Sequence, residues 1–209
     1  TFVTEIILEL CAQFGPESFS WLNGMFAFAI YDIQQKIVTL SRDSTGIKPL
    51  FIYTDNQSVI FASELKAIKA IKQKALSINR KIIPYFLHLG FIPQPATIYN
   101  ELEKFASGTY LQIDLTKKSF LNITSQAKIF WDISSAIRPE KNNDEKIAEV
   151  QLNELLFDAV EKQLVSDVPI GTFLSGGIDS SLVTAIASRV SNKKINTFSI
   201  AIDEGRFNE

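Results

Sequence analysis

The sequence has little cysteine and no long apolar run. A single cysteine among 209 residues, Cys11, cannot form an internal disulfide, which excludes a disulfide-stabilised fold and fits a reducing compartment, by default the cytoplasm. The longest apolar run, residues 25–31, is far shorter than the roughly 20 residues that a membrane-spanning helix needs. No basic segment followed by an apolar one opens the chain, so the sequence predicts neither a targeting signal nor a membrane partner.

An excess of either charge is also lacking. The chain carries 21 Lys+Arg and 23 Asp+Glu, a formal net charge of −2. Proteins that bind the phosphate backbone of nucleic acids usually need a basic surface, so the sequence predicts no nucleic-acid partner. Hydrophobic residues make up 46% and charged residues 21%, which is typical of a globular protein with a packed core.

The first part of the chain has the pattern of an α+β unit. Apolar spacing predicts a helix over 4–14, stopped by Gly15 and Pro16. A second helix with a basic, solvated face is predicted over 64–74. Short runs separated by turn residues predict consecutive antiparallel strands and then a hairpin: 24–31, 37–41, 50–53, 59–62, and 110–115 with 119–123.

A polar, proline-marked segment, 126–143, predicts a linker, after which the periodicity changes. A long helix is expected to begin at Asn142 or Asn143, with Glu145 placed for a capping box. A strand over 168–174, a helix ending near 190 and a strand over 195–202 then predict the start of a parallel α/β unit. Two strands are too few for such a sheet, so further strands are expected beyond residue 209 or in another chain.

The segment Ser175-Gly176-Gly177-Ile178-Asp179-Ser180-Ser181 lies where the predicted strand turns into a helix. Helix starts present unpaired N–H groups and partial positive charge, and ligands of open α/β sheets bind at the carboxyl ends of strands. The glycines permit positive φ and close approach of a phosphate, and the three serines offer hydroxyl donors. The segment is therefore predicted to bind an anion.

Residues 175–181 contain no lysine, and neither the G-x-x-x-x-G-K-[ST] nor the G-x-G-x-x-G pattern is present. The phosphate charge then has to be offset by Mg²⁺ or by distant basic groups, and Asp179 is a natural oxygen ligand for Mg²⁺. The alternative for Asp179 is a helix N-cap with no ligand.

S-G-G-x-D-S after an apolar strand resembles the pyrophosphate-loop motif of the ATP-pyrophosphatases. SGGIDSS after VPIGTFL resembles the synthetase domain of glutamine-dependent asparagine synthetases. Further segments are similar to the same family in the same order along nearly the whole chain: LNGMFAFAIYD (22–32), SRDSTGIKPLF (41–51), FASELKAI (61–68), GFIPQPATIY (90–99) and FWDI (130–133).

The resemblance implies an incomplete N-terminal-nucleophile glutaminase-like α+β domain followed by the start of an α/β ATP-pyrophosphatase domain. The domains that the resemblance implies are the type-2 glutamine amidotransferase domain over 1–125, a linker over 126–143 and the synthetase domain over 144–209. The implied reaction uses ATP and Mg²⁺ to convert aspartate to β-aspartyl-AMP, which ammonia from glutamine then turns into asparagine. A homodimer in the cytoplasm is also expected. The residues implied to contact ATP are those of the motif, flanked at the adenine by the main chain near Leu174 and Ile200.

Several features depart from the family pattern or stay outside the predicted site. The family nucleophile, an N-terminal cysteine, is not present in this chain, and Cys11 is expected to be a core thiol. An aspartate that helps the family to hold glutamine is replaced by Val3, two residues before Glu5. His88 is expected to have a packing role, and Arg42 and Asp43 to brace the turn at 46–49.

Two alternatives remain open at this stage. One is a related ligase that shares the pyrophosphate loop but acts on another carboxylate, such as a β-lactam-forming synthetase or an amidotransferase for a cell-surface sugar acid. The other is a truncated, inactive homologue. Residues that bind aspartate in the family are expected beyond residue 209, so the chain alone is expected to be inactive.

Overall fold

The computed structural model describes residues 2–71, 76–137 and 144–200. The chain divides into two compact units, with the boundary between Ile137 and Arg138. None of the helices in the described ranges has the length and apolarity needed to cross a bilayer.

The first unit begins with the predicted helix, α1 (Phe2–Phe14). Gly15 follows with a φ of +74°, a conformation that favours glycine, and Pro16–Trp21 form a short 3-10 helix. The second predicted helix is α2 (Leu65–Ile71), and two further helices are α3 (Ile83–Leu89) and α4 (Ile133–Ala136). Residues 72–75, the end of the second predicted helix, lie outside the described residues.

The strands of this unit form two antiparallel sheets. They are β1 (Ala27–Asp32), β2 (Ile37–Arg42), β3 (Phe51–Thr54), β4 (Val59–Ala62), β5 (Leu102–Lys104), β6 (Thr109–Asp114) and β7 (Lys128–Ile129). The orders are β1-β2-β6-β7 and β4-β3-β5. All four early strands are confirmed, with antiparallel pairs β1–β2 and β3–β4, whereas β2 pairs with β6 and not with β3.

The predicted hairpin between 110–115 and 119–123 is wrong. In the structure β6 pairs with β2 along its whole length and with β7 at Thr109 and Tyr110, and residues 119–123 form no strand. Phe120 and Ile123 are instead buried in the core, in a turn that leads to a 3-10 helix, Ile123–Gln126. The partner β7 lies inside the segment that composition marked as a linker.

The main core of the first unit combines residues from both sheets, among them Leu40 and Leu111 from one and Ile52 from the other. The opposite face of the four-stranded sheet contacts the 3-10 helix after α1 through Phe19. The ring of Phe19 meets those of Phe28 and Tyr110 edge-on, with centroids 5.1 and 6.0 Å apart. Such edge-to-face pairs add to the burial of the rings themselves.

Arg42 and Asp43 brace the turn that follows β2, as predicted. Both are buried, with 8% and 1% of their surface exposed. The Asp43 carboxylate accepts two backbone N–H groups at 2.9 Å, from residues 47 and 48. The Arg42 guanidinium donates at 2.6–2.8 Å to three backbone carbonyls: those of Gly46, Lys48 and Phe105. Their charges are therefore met by backbone groups, which is what buried charges require.

Gly108 forms hydrogen bonds both with this turn and with residues 130 and 131, which follow β7. Its N–H donates to the Asp43 carbonyl at 2.9 Å, and its own carbonyl accepts from Phe130 and Trp131. Gly108 has a φ of +64°, and a Cβ atom on it would lie 2.3 Å from the Trp131 carbonyl oxygen. Only glycine fits both the conformation and the contact.

The second unit contains α5 (Glu145–Gln163), β8 (Gly171–Phe173), α6 (Ile178–Val190) and β9 (Asn196–Phe198). Strands β8 and β9 are parallel and α6 connects them, so the predicted strand-helix-strand order is confirmed. Helices α5 and α6 pack through Val160, Ile186 and Ala187.

The N-cap of α5 is Asp144, whose carboxylate accepts from the N–H groups of Lys146 and Ile147. The partial positive charge at the start of the helix also stabilises a carboxylate in this position. The predicted caps Asn142 and Asn143, and the end of the last predicted strand, 201–202, lie outside the described residues.

Replacing Gly108 with alanine should destabilise the first unit strongly. Gly90 is the matched control, because its φ of +75° is similar but no atom lies within 4 Å of the position of an added Cβ. Gly90→Ala should cost about 1 to 2 kcal/mol, the price of a left-handed non-glycine residue. Gly108→Ala should lower the free energy of unfolding, measured in urea, by a clearly larger amount. Equal losses in the two variants would contradict the contact with Trp131.

The phenol of Tyr110 should ionise late. Burial, together with a hydrogen bond of 2.8 Å to the Glu17 carboxylate, raises the pKa of Tyr110 from 10.0 to about 12. The folded state thus holds this proton more tightly than the unfolded state does. The contribution of the phenol to the free energy of unfolding is therefore complete below pH 10 and is lost as the pH rises through about 12. The phenolate absorbance of wild type minus Tyr110→Phe measures this ionisation.

Glu17→Gln should shift the pKa of Tyr110 part of the way back, because the negative charge is removed while the burial remains. Glu5→Gln, which removes an exposed carboxylate from α1, is the control and should leave the titration unchanged. An unaltered titration in Glu17→Gln would show that the carboxylate does not act on the phenol.

Candidate functional site

Residues 175–181, here called the serine loop, join the end of β8 to the start of α6. Gly176 has a φ of +99°, and Gly177 is the extended N-cap of the helix with no side-chain capping bond. The positive φ explains why glycine stands at 176. The strand-to-helix turn predicted for this motif is therefore present.

Several backbone N–H groups in the serine loop have no hydrogen-bond acceptor within residues 144–200. Within residues 144–200, the amides of Gly176, Ile178 and Asp179 donate to no backbone carbonyl, and the first N–H that closes a helical turn is that of Ser181, to the Gly177 carbonyl at 3.1 Å. Helix α6 has 13 residues, long enough for a substantial dipole. Unpaired N–H groups at such an end suit the oxygens of a phosphate.

The serines of the loop are hydrogen-bonded to each other. Ser180 Oγ lies 3.0 Å from Ser175 Oγ, accepts from the Ser175 N–H at 3.3 Å and donates to the Gly177 carbonyl at 3.1 Å. Ser175 Oγ also accepts from the Gly177 N–H at 3.4 Å. Ser181 is exposed on the first turn of the helix.

Asp179 is exposed in the first turn of α6 and does not cap it, since the N-cap is Gly177. The N-cap alternative for Asp179 is therefore wrong. In the described ranges, no group of three or more His, Cys, Asp or Glu side chains is placed to hold a metal ion. Mg²⁺ in nucleotide sites commonly takes one or two carboxylates plus phosphate oxygens. Asp179 is one carboxylate of this kind.

The main chain near Leu174 and Ile200 lies beside the serine loop, because each residue follows the carboxyl end of a strand in the same parallel pair. The Leu174 N–H donates to the Phe198 carbonyl at 2.8 Å, and its carbonyl accepts from Ser199 Oγ at 2.6 Å. Leu174 is half-buried, whereas Ile200 is 81% exposed.

Positive charge is absent from the chain around the serine loop. No Lys or Arg occurs in residues 163–188, which include β8, the loop and most of α6. The nearest basic residue after the loop, Arg189, belongs to the last turn of α6, at the opposite end of that helix. This arrangement offers neutral donors together with one carboxylate.

Comparisons with known proteins agree with the two units. Residues 3–126 match the family described as glutamine amidotransferase domain, and residues 151–209 match the asparagine synthase family. A putative glutamine-hydrolysing asparagine synthetase 2 of Methanocaldococcus jannaschii is 37% identical over 209 residues, covering 99% of this chain and 39% of that protein.

Asparagine synthetase 1 of Bacillus subtilis is 30% identical over 210 residues, with 99% of this chain and 31% of the relative covered. Asparagine synthetase B of Escherichia coli is 31% identical over 192 residues, with coverages of 91% and 28%. The chain belongs to the family of glutamine-hydrolysing asparagine synthetases. It spans less than two fifths of the length of these relatives.

In this asparagine synthetase family member, Cys11 has the environment of an unreactive thiol. It is half-buried and lines a cavity of about 490 Å³ with Asp32 and Thr39. Burial, followed by the charges of Asp32 and Glu17, raises the pKa of Cys11, which keeps the thiol protonated. A nucleophilic cysteine needs the opposite environment.

Two other predictions for this asparagine synthetase family member have different outcomes. His88 is exposed in the last turn of α3, so its predicted packing role is wrong. The side chain of Val3 lies outside the described part of the structure.

The sequence motif did not indicate the polar contacts that hold the serine loop and α6 against the strands. Ser199 holds the carbonyl of Leu174, and Thr184 Oγ1 donates to Thr172 Oγ1 at 3.1 Å between α6 and β8. These residues stand outside the motif, and no sequence pattern marks them, because their partners come from another element.

Proposed function

We propose that the protein containing this chain is an asparagine synthetase that takes its nitrogen from glutamine and activates aspartate with ATP. The carboxylate oxygen of the aspartate side chain attacks the α-phosphorus, the bond to the β-phosphate breaks, and pyrophosphate leaves. Ammonia then attacks the carbonyl carbon of β-aspartyl-AMP, loses a proton and displaces AMP, which gives asparagine. The observation that carries the proposal is the serine loop, with its unpaired amides at the end of a parallel strand, in a chain that belongs to this family.

The serine loop would act on the departing pyrophosphate. Negative charge grows on the β-phosphate as the bond breaks, and the amides of Gly176, Ile178 and Asp179 are fixed in place before the reaction. Donors that need no reorganisation are the most effective stabilisers of such charge. Mg²⁺, held by Asp179 and phosphate oxygens, would supply the positive charge that residues 163–188 lack.

The main chain beside the loop is suited to the adenine. The Leu174 carbonyl has one acceptor position taken by Ser199, and a carbonyl oxygen has two. The second position would accept from the amino group of adenine, while the exposed Ile200 would cover the ring. The loop, Leu174 and Ile200 together form the proposed nucleotide site.

The first unit would supply the ammonia, consistent with its match to the glutamine amidotransferase domain family. Cys11 is not proposed as the nucleophile, because its pKa is raised. We also propose that the protein acts in the cytoplasm as a homodimer. Its proposed domains span residues 1–125 and 144–209.

The deciding experiment measures pyrophosphate release by the full-length protein with ATP, Mg²⁺ and aspartate, with ammonia or glutamine supplied separately. We expect release with aspartate and much less with glutamate, which is one carbon longer. No release with aspartate, even when ammonia is present, would rule out the proposal. Release only with another carboxylate would favour a ligase with a different acceptor, and activity with ammonia alone would rule out glutamine as the donor.

Asp179→Asn should reduce turnover about tenfold or more and raise the Mg²⁺ concentration that is needed, because the carboxylate ligand is lost. Asp167→Asn is the matched control, since Asp167 precedes β8 and lines a separate cavity near the amino ends of the strands. Its activity should be unchanged. Normal turnover and Mg²⁺ dependence in Asp179→Asn would contradict a metal-binding role for this carboxylate. Its role would then be limited to stabilising the positive end of the helix.

A further inference from the structure

Residues 65–100 of the first unit carry no acidic side chain. Six of the 21 basic residues lie in this segment, whereas all 23 Asp and Glu residues lie outside it. A solvated surface usually carries charges of both signs, so a segment of one sign stands out in a chain whose formal net charge is −2. Such a local excess of positive charge attracts anions.

Two of these basic residues, Arg80 and Lys81, line the same cavity, which has a volume of about 620 Å³. Sites for small molecules commonly have volumes of roughly 300–1,000 Å³ and combine apolar walls with a few polar groups. The rest of this cavity has both kinds of lining: Ile78, Asn79, Ile82, Tyr85 and Asn100. The cavity is therefore suited to a ligand with one anionic and one apolar part.

The backbone beside the cavity is held by pairing between residues 77–79 and 98–100. An antiparallel bridge joins Ile78 to Tyr99. The N–H of Asn79 donates to the carbonyl of residue 98 at 2.8 Å, and the N–H of Asn100 donates to that of residue 77 at 3.0 Å. This wall of the cavity is thus ordered before any ligand binds, which lowers the entropic cost of binding.

The cationic groups of the cavity are not neutralised by a neighbouring acid. The first acidic residue after the basic segment, Glu101, accepts from the N–H of Ser77 at 3.0 Å and from its hydroxyl at 2.6 Å. Among the described residues of the first unit, Arg80 and Lys81 have no ion-pair partner. The side chain of Asn79 precedes a short 3-10 helix but forms no capping bond to it. All three side chains are therefore available to a ligand.

We propose that this cavity binds a phosphate monoester whose ester group is apolar or aromatic. Such a phosphate carries a charge of about −1.5 to −2 at pH 7, which two adjacent cations balance, whereas a carboxylate would leave one cation unbalanced. The guanidinium of Arg80 presents paired N–H groups that match two phosphate oxygens. The ester group would contact Ile78, Ile82 and Tyr85. The proposal concerns the first unit and does not rest on the proposed function.

Two sources fit this chemistry: a soluble phosphate ester, and the headgroup of a lipid. The second source fits because α3 continues from the cavity with exposed apolar side chains: Phe86, Leu87 and Leu89. Apolar side chains next to basic ones are typical of surfaces that contact anionic lipids. Phenyl phosphate is the probe for the soluble source, and vesicles containing phosphatidic acid, itself a phosphate monoester, are the probe for the lipid.

The test measures binding of phenyl phosphate to the full-length protein by calorimetry and locates it by hydrogen exchange. The double variant Arg80→Gln/Lys81→Gln should bind at least about tenfold more weakly, because charge-assisted hydrogen bonds to the phosphate are lost. Lys117→Gln/Lys118→Gln is the matched control, since it removes the same charge from an exposed turn of the same unit, and should bind as the wild type does. Binding should slow the exchange of the amides of residues 79–82.

Benzoate, which offers a carboxylate in place of the phosphate, should bind at least about tenfold more weakly than phenyl phosphate. Binding to phosphatidic acid vesicles alone, absent with phosphatidylcholine and lost in Arg80→Gln/Lys81→Gln, would support the proposal with a lipid as the source. Equal affinity for benzoate, unchanged affinity in the double variant, or no binding to either phosphate probe would overturn it. Binding that leaves the exchange of residues 79–82 unchanged would place the phosphate elsewhere and would also overturn it.

Discussion

The parallel pairing of β8 with β9 is the constraint on which the candidate site depends. Its register sets Phe173 opposite Phe198, so the residues that follow both strands emerge at one edge of the sheet. The hydroxyl of Ser199 then reaches the carbonyl of Leu174, and the chain beyond Leu174 turns directly into α6. A change of register would separate the proposed nucleotide contacts, although each residue would keep its place in the sequence.

The turn after β2 and the loop after β8 differ in the acceptors of their backbone amides. After β2, the backbone amides of residues 47 and 48 are turned toward the carboxylate of Asp43, which is part of the protein and is buried. After β8, the amides of Gly176 and Ile178 donate to no acceptor within residues 144–200. A turn with an internal anion is a structural element, and a turn without one is suited to an external anion. This contrast separates the bracing pair in the first unit from the proposed binding loop in the second.

Much of the local structure could be predicted from the sequence, and the errors in strand pairing have one physical origin. The helix over 4–14 and the strands from β1 to β4 follow from periodicity, which is a local property. The false hairpin at 119–123 arose because β6 takes its partners from distant segments, β2 and β7, and pairing over such separations leaves no mark in a local pattern. The site shows the same division. The motif predicted the strand-to-helix turn, which the structure confirms, but the polar contacts that support the turn, such as that of Ser199 with Leu174, join different elements and leave no local pattern.

The lack of basic side chains in residues 163–188 has a consequence for which form of nucleotide the proposed site accepts. Free ATP would bring its full negative charge next to Asp179, and because residues 163–188 offer no basic side chain to offset it, the two would repel. ATP already complexed with magnesium would meet the same carboxylate as a ligand. The carboxylate that serves the complex would thus also act as a filter against the uncomplexed nucleotide.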